Sequence, residues 1–461
     1  METSTTFRLN GETVALSGVE PQQSLLRWLR TRAQTGTKEG CADGDCGACT
    51  VVLVEPCDGE GRMVAVNSCL LPMGTLPGRE VLTIEALAEG EVLHPVQVAM
   101  VECGGSQCGY CTPGIVMSLF AGVHAGELSD HTTEGNLCRC TGYRPIREAT
   151  AALRHQRAAD DRFRAVLAQP RLPLTTAQVG QFHSPDSVAE ALALKQQFPE
   201  AAFIAGGTDL GVSLSRHRQP APVLIGLDRI LELQQLELSE AAVRIGAGVP
   251  LSRIERELAG VFDGLDELLP WFAARQVRNR ATLGGNLGSA SPIGDLAPWL
   301  LAMEAEIECV GLMGARSIPV AEFFLAYRRT ALAADELIAA VTIPRRIERV
   351  DGFYKIAKRQ TDDISVVAAA LAIELDVDAR VCSARLAFGG VAATPVRACE
   401  VENSLLGRRL DADLIEATRQ ALREAFSPLS DHRASAEYRR ALCGNLFARF
   451  AREKLGVEGV A

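Results

Sequence analysis

The sequence predicts a multidomain α+β protein, and three observations carry that expectation. The chain has 461 residues, enough for about three domains that each bury a core. Its hydrophobic periodicity changes along its length. Residues 1–90 read as short strands around one helix, residues 91–165 as helices, and residues from 182 onward as alternating strands and helices. Finally, ten of the 14 cysteines lie between Cys41 and Cys140, which concentrates one chemistry in the first third of the chain.

The elements can be justified in order. Phe7–Leu16 alternates apolar and polar residues around Asn10-Gly11, a hairpin signal. Pro21 opens a helical pattern with Leu25, Leu26 and Leu29 on one face and Gly36 beyond its end. Thr50–Val54 and Met63–Val66 are strand-like, and a glycine-rich loop precedes them. His94-Pro95 introduces an apolar helical run to Val101. Thr112-Pro113 reads as an N-cap with proline at the first helical position, and Pro145 starts a helix over Ile146–Leu153. Gln169–Gln181 holds two prolines and no clear period, as a linker does. Beyond it, Ser184-Pro185 begins a helix. Ala201–Ile204 is a buried strand running into Gly206-Gly207, Trp271–Ala274 reads as helix interior, and Ala281–Ser289 is a second glycine-rich turn. The tail has strands over Val366–Leu375 and Arg385–Phe388, and helices from about Asp413 and Ala436. The expected division is 1–90, 91–165, a linker at 166–181, 182–345 and 346–461.

Composition narrows the function classes. The chain is 47% hydrophobic and 23% charged, as globular proteins are. Its 47 basic and 57 acidic residues give a net charge of −10, which argues against a nucleic-acid partner bound through a basic face. No run of about 20 apolar residues exists, so no membrane span is expected. Met1–Phe7 lacks a basic region and an apolar region, so the expectation is a cytoplasmic protein without a signal peptide. Reducing conditions there disfavour a disulfide framework, and clustered cysteines then read as metal ligands. Cys309, Cys382, Cys399 and Cys443 are scattered and read as small buried hydrophobes.

Cys41, Cys46 and Cys49, with Cys69 further on, have the spacing of a plant-type 2Fe–2S cluster. The competing reading is a four-cysteine zinc site, but such sites pair two short hooks and this group has one. A second group is ambiguous. Cys103, Cys108 and Cys111 repeat the same spacing, and Cys138-Arg139-Cys140 adds two more thiols. That makes five candidates for four places, and spacing does not select among them. Cys57, in the polar turn Glu55–Gly59, reads as a free surface thiol. Cys111 and Cys140 each precede an expected helix, whose positive end suits an anionic cluster. Downstream, no Gly-x-Gly-x-x-Gly fingerprint or phosphate-binding Gly-Lys-Ser/Thr loop occurs. The two Gly-Gly pairs read as tight turns, although adjacent backbone N–H groups could cradle a pyrophosphate.

Two long strings carry a resemblance. Gly105-Ser-Gln-Cys108-Gly-Tyr-Cys111-Thr-Pro-Gly-Ile-Val-Met117 and Gly135-Asn-Leu-Cys138-Arg-Cys140-Thr-Gly-Tyr-Arg-Pro145 resemble the helical 2Fe–2S domain of the molybdenum hydroxylases. The likeness extends along the whole chain, and its order is similar to that of the small subunits of bacterial xanthine dehydrogenases. It implies four domains: a β-grasp ferredoxin-like domain, an α-helical 2Fe–2S domain, an α+β FAD-binding domain of the vanillyl-alcohol-oxidase/PCMH type and an α+β flavoprotein C-terminal domain. It also implies Cys108, Cys111, Cys138 and Cys140 as the second ligand set. Cys103 is left out, at a position where the family needs no cysteine. The segment Phe203, Ile204, Ala205, Gly206, Gly207, Thr208, Asp209, Leu210 resembles the one that holds the FAD pyrophosphate. Thr282, Leu283, Gly284, Gly285 and Asn286, followed by Ser291–Asp295, resemble the second FAD segment. Phe272, Ile338 and Lys355 fall where the family contacts the flavin. Asp295 would hold a polar group of the cofactor, and Asp362 lies near where nicotinamide would dock. Read without the resemblance, Asp362 and Asp363 are a solvated turn and Phe272 a core aromatic.

The implied reaction is oxidative hydroxylation of a purine, hypoxanthine to xanthine to urate, at a molybdenum cofactor. This chain offers that cofactor no evident place. The resemblance therefore implies a larger molybdopterin-binding partner subunit, in a dimer of heterodimers, with Gln107 and the Cys108–Cys111 turn facing it. Electrons would pass through the helical-domain cluster and then the ferredoxin-like cluster to FAD and on to NAD+. Two alternatives stand beside this reading. One is the equivalent subunit of an enzyme acting on an aldehyde, nicotinate or another heterocycle. The other is a zinc-stabilised scaffold with no enzymatic role.

Overall fold

The hairpin forms where it is expected. Asn10 and Gly11 take left-handed φ values of 54° and 88° and join strands Thr6–Leu9 and Glu12–Ala15. The computed structural model describes residues 5–57, 59–154, 161–169, 174–216, 221–359 and 361–458. Residues 170–173 of the expected linker and the side chain of Cys57 lie outside what is described. The chain divides into two units, residues 1–231 with 273–281, and residues 232–272 with 282–461.

In the first unit, a five-stranded sheet has the order Glu12–Ala15, Thr6–Leu9, Glu80–Leu82, Thr50–Cys57, Glu60–Asn67. Thr6–Leu9 pairs parallel to Glu80–Leu82, which requires a crossover between them. That crossover includes the helix Leu25–Thr31. The helix begins later than Pro21 suggests, because the Ser24 hydroxyl caps the Arg27 N–H. It buries Leu25, Trp28 and Leu29 against Phe7, Val51, Leu53 and Val81. This is the β-grasp arrangement.

Helices Pro95–Glu102, Thr112–Ala125, Arg144–Arg154 and Arg162–Leu167 follow, packed around Val96, Ile115, Leu119, Phe120, Ile146, Leu153 and Phe163. His94 and Gln97 form a reciprocal capping box at the first. Thr112 is inside its helix rather than capping it. Cys111 occupies the cap, and the Thr112 hydroxyl bonds Ser106 Oγ at 2.7 Å.

Within the expected linker, Ala177–Val179 forms a strand paired with Phe182–Ser184. Their sheet continues through Leu224–Gly226 to Ala202–Ile204, and its last three strands run parallel. Ser184 therefore ends a strand, and the next helix, Val188–Gln197, is capped by Ser187 instead. The helix Leu210–Ser215 follows the Gly206-Gly207 turn.

In the second unit, an antiparallel sheet has the order Leu236–Leu238, Ala242–Gly246, Leu337–Pro344, Glu306–Gly311, Gly314–Pro319. A four-stranded antiparallel sheet spans Arg349–Ile356, Val367–Leu375, Val381–Gly389 and Val396–Arg397. Leu371, Leu386 and Phe388 of that sheet share a core with Leu446, Phe447 and Phe450 of the helix Ala436–Lys454.

Three expectations change here. Trp271–Ala274 is not helix interior. A 3₁₀ turn ends at Trp271, Phe272 is extended at φ −82° and ψ 108°, and Ala273 is left-handed at φ 46°. The Gly284-Gly285 pair lies in the helix Leu283–Gly288, not in an open turn. The Thr282 hydroxyl accepts from the Gly285 N–H at 3.1 Å, and a Cβ on Gly284 would lie 2.5 Å from the Cβ of Ala247. Of the scattered cysteines, Cys309 and Cys443 are buried, but Cys382 and Cys399 are exposed. Cys382 falls on the outward side of its strand, next to buried Val381, and Cys399 opens a helix. Among the described residues, no helix is long and apolar enough to cross a membrane.

Candidate functional site

The first cysteine loop is shaped by glycine. Gly44 and Gly47 take φ values of 95° and 65°. A Cβ on Gly40 would lie 2.7 Å from Cys46 Sγ, and one on Gly47 would lie 2.0 Å from the Gly135 carbonyl oxygen. The loop turns its N–H groups onto sulfur. Cys41 Sγ accepts from Asp43 N at 3.5 Å and from Cys46 N at 3.3 Å, and Cys46 Sγ accepts from Cys41 N at 3.3 Å. Cys69 reaches the group from the 3₁₀ turn Ser68–Leu70.

The four thiols titrate as two pairs. The hydrogen bond from Cys41 pulls Cys46 down to about 6, while the same bond and burial push Cys41 up. The bond from Cys69 lowers Cys49, and Cys69 rises through that bond and its burial. Each pair thus sets one sulfur whose ionisation is favoured beside one whose ionisation is opposed. Four sulfurs at such range repel once ionised, and a polynuclear cation relieves that repulsion. The donor set fits a small iron–sulfur cluster.

The second set repeats the pattern. Cys108 influences Cys140, and Cys111 influences Cys138. Burial and the bond to Cys138 push Cys111 up to about 12. Burial also opposes ionisation of Cys138, yet the Thr141 hydroxyl at 3.1 Å and nearby N–H groups hold it below the usual thiol range. The Tyr110 N–H and the bond from Cys140 lower Cys108, and Cys140 rises in turn. Cys103 belongs to neither pair. It forms the C-cap of Pro95–Glu102 and packs against the helical core.

The two sets are joined backbone to backbone. Leu137 N donates to the Cys46 carbonyl at 2.9 Å, and Asn136 Nδ2 donates to the Gly47 carbonyl at 2.9 Å. The Tyr110 hydroxyl donates to the Glu39 carbonyl. Gly114 is held by the same contact, since a Cβ there would lie 2.2 Å from the Gly47 oxygen. Buried Thr50, Ser118, Asn136 and Gln276 form one polar network at this junction. Sequence reasoning missed these four. Their only signal was Asn136 lying inside the Gly135–Pro145 string.

The first set also adjoins the Phe203–Leu210 segment. Phe203 and Ile204 end a strand, Ala205, Gly206, Gly207 and Thr208 make the turn, and Asp209 is the N-cap of Leu210–Ser215. That helix lies on the Cys69 turn. A Cβ on Gly211 would be 2.5 Å from the Leu70 carbonyl oxygen, and Val212 packs with Leu26, Cys49, Cys69 and Leu70. Asp43 of the cysteine loop pairs with Arg216. Gly206 rests on the Arg280 carbonyl, which would be 1.7 Å from a Cβ there.

In the second unit, Leu283 and Gly284 pack the helix inward, and Gly284 N donates to the Ala247 carbonyl at 2.9 Å. Ala247 N in turn bonds the Ala339 carbonyl, next to buried Ile338. A Cβ on Gly288 would meet nothing within 4 Å, and one on Gly285 only its own cap, Thr282 Oγ1. This bare face, which also carries Asn286, fits a close-lying cofactor. Lys355 Nζ lies 2.9 Å from Asp295 Oδ2 and 3.0 Å from the Trp271 carbonyl, beside half-buried Phe272. Ser365 Oγ donates to Asp295 Oδ1 at 2.5 Å, so both oxygens of Asp295 already accept bonds from the chain. Asp362 is left-handed at φ 50° and half-buried. Asp363 accepts from the N–H groups of Arg359 and Ile364 and pairs with Arg433 at 3.5 Å, so this turn is structured rather than simply solvated.

Four families match in succession. Residues 7–73 match a 2Fe-2S iron-sulfur cluster binding domain and residues 83–151 a [2Fe-2S] binding domain. Residues 177–346 match the FAD binding domain in molybdopterin dehydrogenase, and residues 352–454 the CO dehydrogenase flavoprotein C-terminal domain. The chain belongs to the molybdenum hydroxylase family.

Within that family, the chain is 32% identical to the xanthine dehydrogenase of Emericella nidulans, over 97% of this chain and 38% of that protein. It is 31% identical to xanthine dehydrogenase 2 of Arabidopsis thaliana, over 88% of this chain and 36% of that protein. The chain thus spans less than two-fifths of the length of these two relatives. Two solved structures are also similar. The carbon monoxide dehydrogenase of Hydrogenophaga pseudoflava lacking the Mo-pyranopterin moiety has a TM-score of 0.56 and 27% identity, over 62% of this chain and 98% of that one. Quinoline 2-oxidoreductase of Pseudomonas putida 86 has a TM-score of 0.55 and 26% identity, over 60% of this chain and 96% of that one. The chain is an iron–sulfur and flavin electron carrier of this family.

Proposed function

We propose that this chain is the electron-transfer subunit of a cytoplasmic xanthine dehydrogenase. It receives electrons from a molybdenum cofactor carried by a larger molybdopterin-binding partner subunit and delivers them to NAD+, in a dimer of heterodimers. Cys41, Cys46, Cys49 and Cys69 would hold one 2Fe–2S cluster, and Cys108, Cys111, Cys138 and Cys140 the other. Phe203–Leu210, Phe272, Thr282–Asn286, Asp295, Ile338 and Lys355 would hold FAD, with Asp362 close to the nicotinamide. When bound, the clusters supply one-electron carriage and FAD links it to two-electron chemistry.

One observation supports this order most directly. The two sulfur sets share a backbone junction at Cys46 and Leu137, and the Cys49–Cys69 side packs against the helix that follows Gly206-Gly207. The helical set has exposed sulfurs at Cys108 and Cys140, with exposed Tyr110 and Leu137 nearby, as an electron entry facing a partner requires. The likeness to carbon monoxide and quinoline enzymes supports a second reading, in which the partner acts on another heterocycle or an aldehyde.

Co-expression with a molybdopterin-binding subunit tests the proposal. Xanthine-dependent reduction of NAD+ is expected from the complex. The chain alone should be brown, bleach with dithionite and show NADH-dependent flavin reduction without xanthine oxidation. A colourless, fully metallated chain would support the zinc scaffold and overturn the proposal. Turnover of a different heterocycle only would move the assignment to the second reading.

A further inference from the structure

Residues 273–281 lie in the chain between Phe272 and Thr282, two of the flavin candidates, yet they pack as part of the iron–sulfur unit. Their anchors are buried and polar. Gln276, 1% exposed, donates through Nε2 to Asn136 Oδ1 and Ser118 Oγ, both at 3.1 Å, and to Thr50 Oγ1 at 3.4 Å. Its Oε1 lies against Gly135, where a Cβ would come within 2.1 Å. Arg278 is fully buried and donates to Glu134 Oε1 at 2.5 Å and to the Ala273 carbonyl at 3.0 Å. Asn279 Nδ2 donates to the Ala65 carbonyl at 2.8 Å. Asn136 in turn holds the Gly47 carbonyl.

These anchors therefore reach both cysteine loops, the one ending at Thr50 and the one spanning Glu134–Cys138. Buried polar groups left without partners are costly, so the path of the segment is tied to the arrangement of both loops. Its two ends continue directly into Phe272 and Thr282. None of these anchoring bonds is needed to ligate iron or to touch flavin.

We infer that the 273–281 segment is a strap that couples cluster assembly to FAD binding, with Gln276 and Arg278 as positioning residues. The inference rests on the iron–sulfur and FAD reading above. Ordering the two cysteine loops fixes Gln276 and Arg278, and these set how the chain leaves at Phe272 and at Thr282. Such coupling is reciprocal, so bound FAD must in turn hold the clusters more tightly.

The test uses the full chain with its clusters loaded and its flavin removed. FAD affinity is read by fluorescence quenching, and iron release to a chelator is timed with and without FAD. In the unmodified protein, FAD should slow iron release several-fold. Gln276→Met and Arg278→Met should keep the iron content, bind FAD roughly tenfold more weakly and lose the protective effect of FAD. A merely structural role would lower the melting temperature of the variants and leave that protection intact. The inference fails if FAD does not alter iron release in the unmodified protein, a comparison that needs no variant to fold. It also fails if both variants bind FAD and gain protection as the unmodified protein does. Failure to bind iron or FAD at all would instead refute the functional reading.

Discussion

Cys103 and Cys108 share the sequence features that make a thiol look like a ligand, and they differ in what surrounds their sulfurs. Cys108 meets Cys140, while Cys103 closes the end of a helix and rests on the helical core. Replacing Cys103 by serine is expected to leave the iron content unchanged, because none of the described thiols pairs with it. Cys108→Ser should lower the iron content or prevent assembly of the second set. Equal losses in both variants would reverse the choice. Spacing made the first set legible, since one hook and a glycine-rich loop leave few ways to arrange four sulfurs. It left the second ambiguous, because a helix end at Cys103 has no distinctive spacing. Asn136 and Gln276 were less legible still. Each is a single polar residue, and its importance lies in partners more than 80 positions away in the chain.

At the scale of elements, periodicity found most strands and helices, and local chemistry moved their ends. Thr112 looked like a cap because proline follows it, yet Cys111 sits one residue earlier in the loop that the sulfur set holds. Gly284-Gly285 looked like a turn, but Gly284 lets a helix press onto Ala247 while Gly285 lies on its open face. Gly47 combines both demands, a positive φ and a backbone neighbour that cannot give way. Gly47→Ala should push the two cysteine loops apart and break the Leu137–Cys46 and Asn136–Gly47 bonds. The expected cost is roughly 2–4 kcal/mol, with iron lost from both sets. Gly109→Ala is the control. Its φ is 82°, but a Cβ there meets nothing within 4 Å, so only about 1 kcal/mol of backbone strain is expected. Iron analysis and denaturant titration of the two variants measure the difference, and equal effects would discount the loop–loop contact.

At the scale of the whole molecule, the two units have separate reasons to be stable. All eight cysteines of the two sets lie in the first unit, where ligand-binding energy adds to folding energy. The second unit is held by the packed sheet and helices around Phe388, Phe447 and Phe450. It also contains a group that opposes folding at neutral pH. Burial, with Asp263 and Glu267 nearby, raises Asp351 to about 6, although the Gly264 N–H bonds its carboxylate. A carboxyl raised in the folded state gives its full stabilisation below its unfolded value of 3.8 and loses it as the pH rises through about 6. At pH 8 that loss is on the order of 3 kcal/mol. Scanning calorimetry should therefore show two independent responses. With the flavin removed, chelating the iron should lower the transition of the first unit and leave that of the second in place. Asp351→Asn keeps an acceptor for Gly264 and removes the buried charge. It should raise the second transition by several degrees at pH 8 and have little effect near pH 4. A shift of both transitions on chelation would contradict the separate cores, and an equal effect of Asp351→Asn at both pH values would contradict the raised carboxyl.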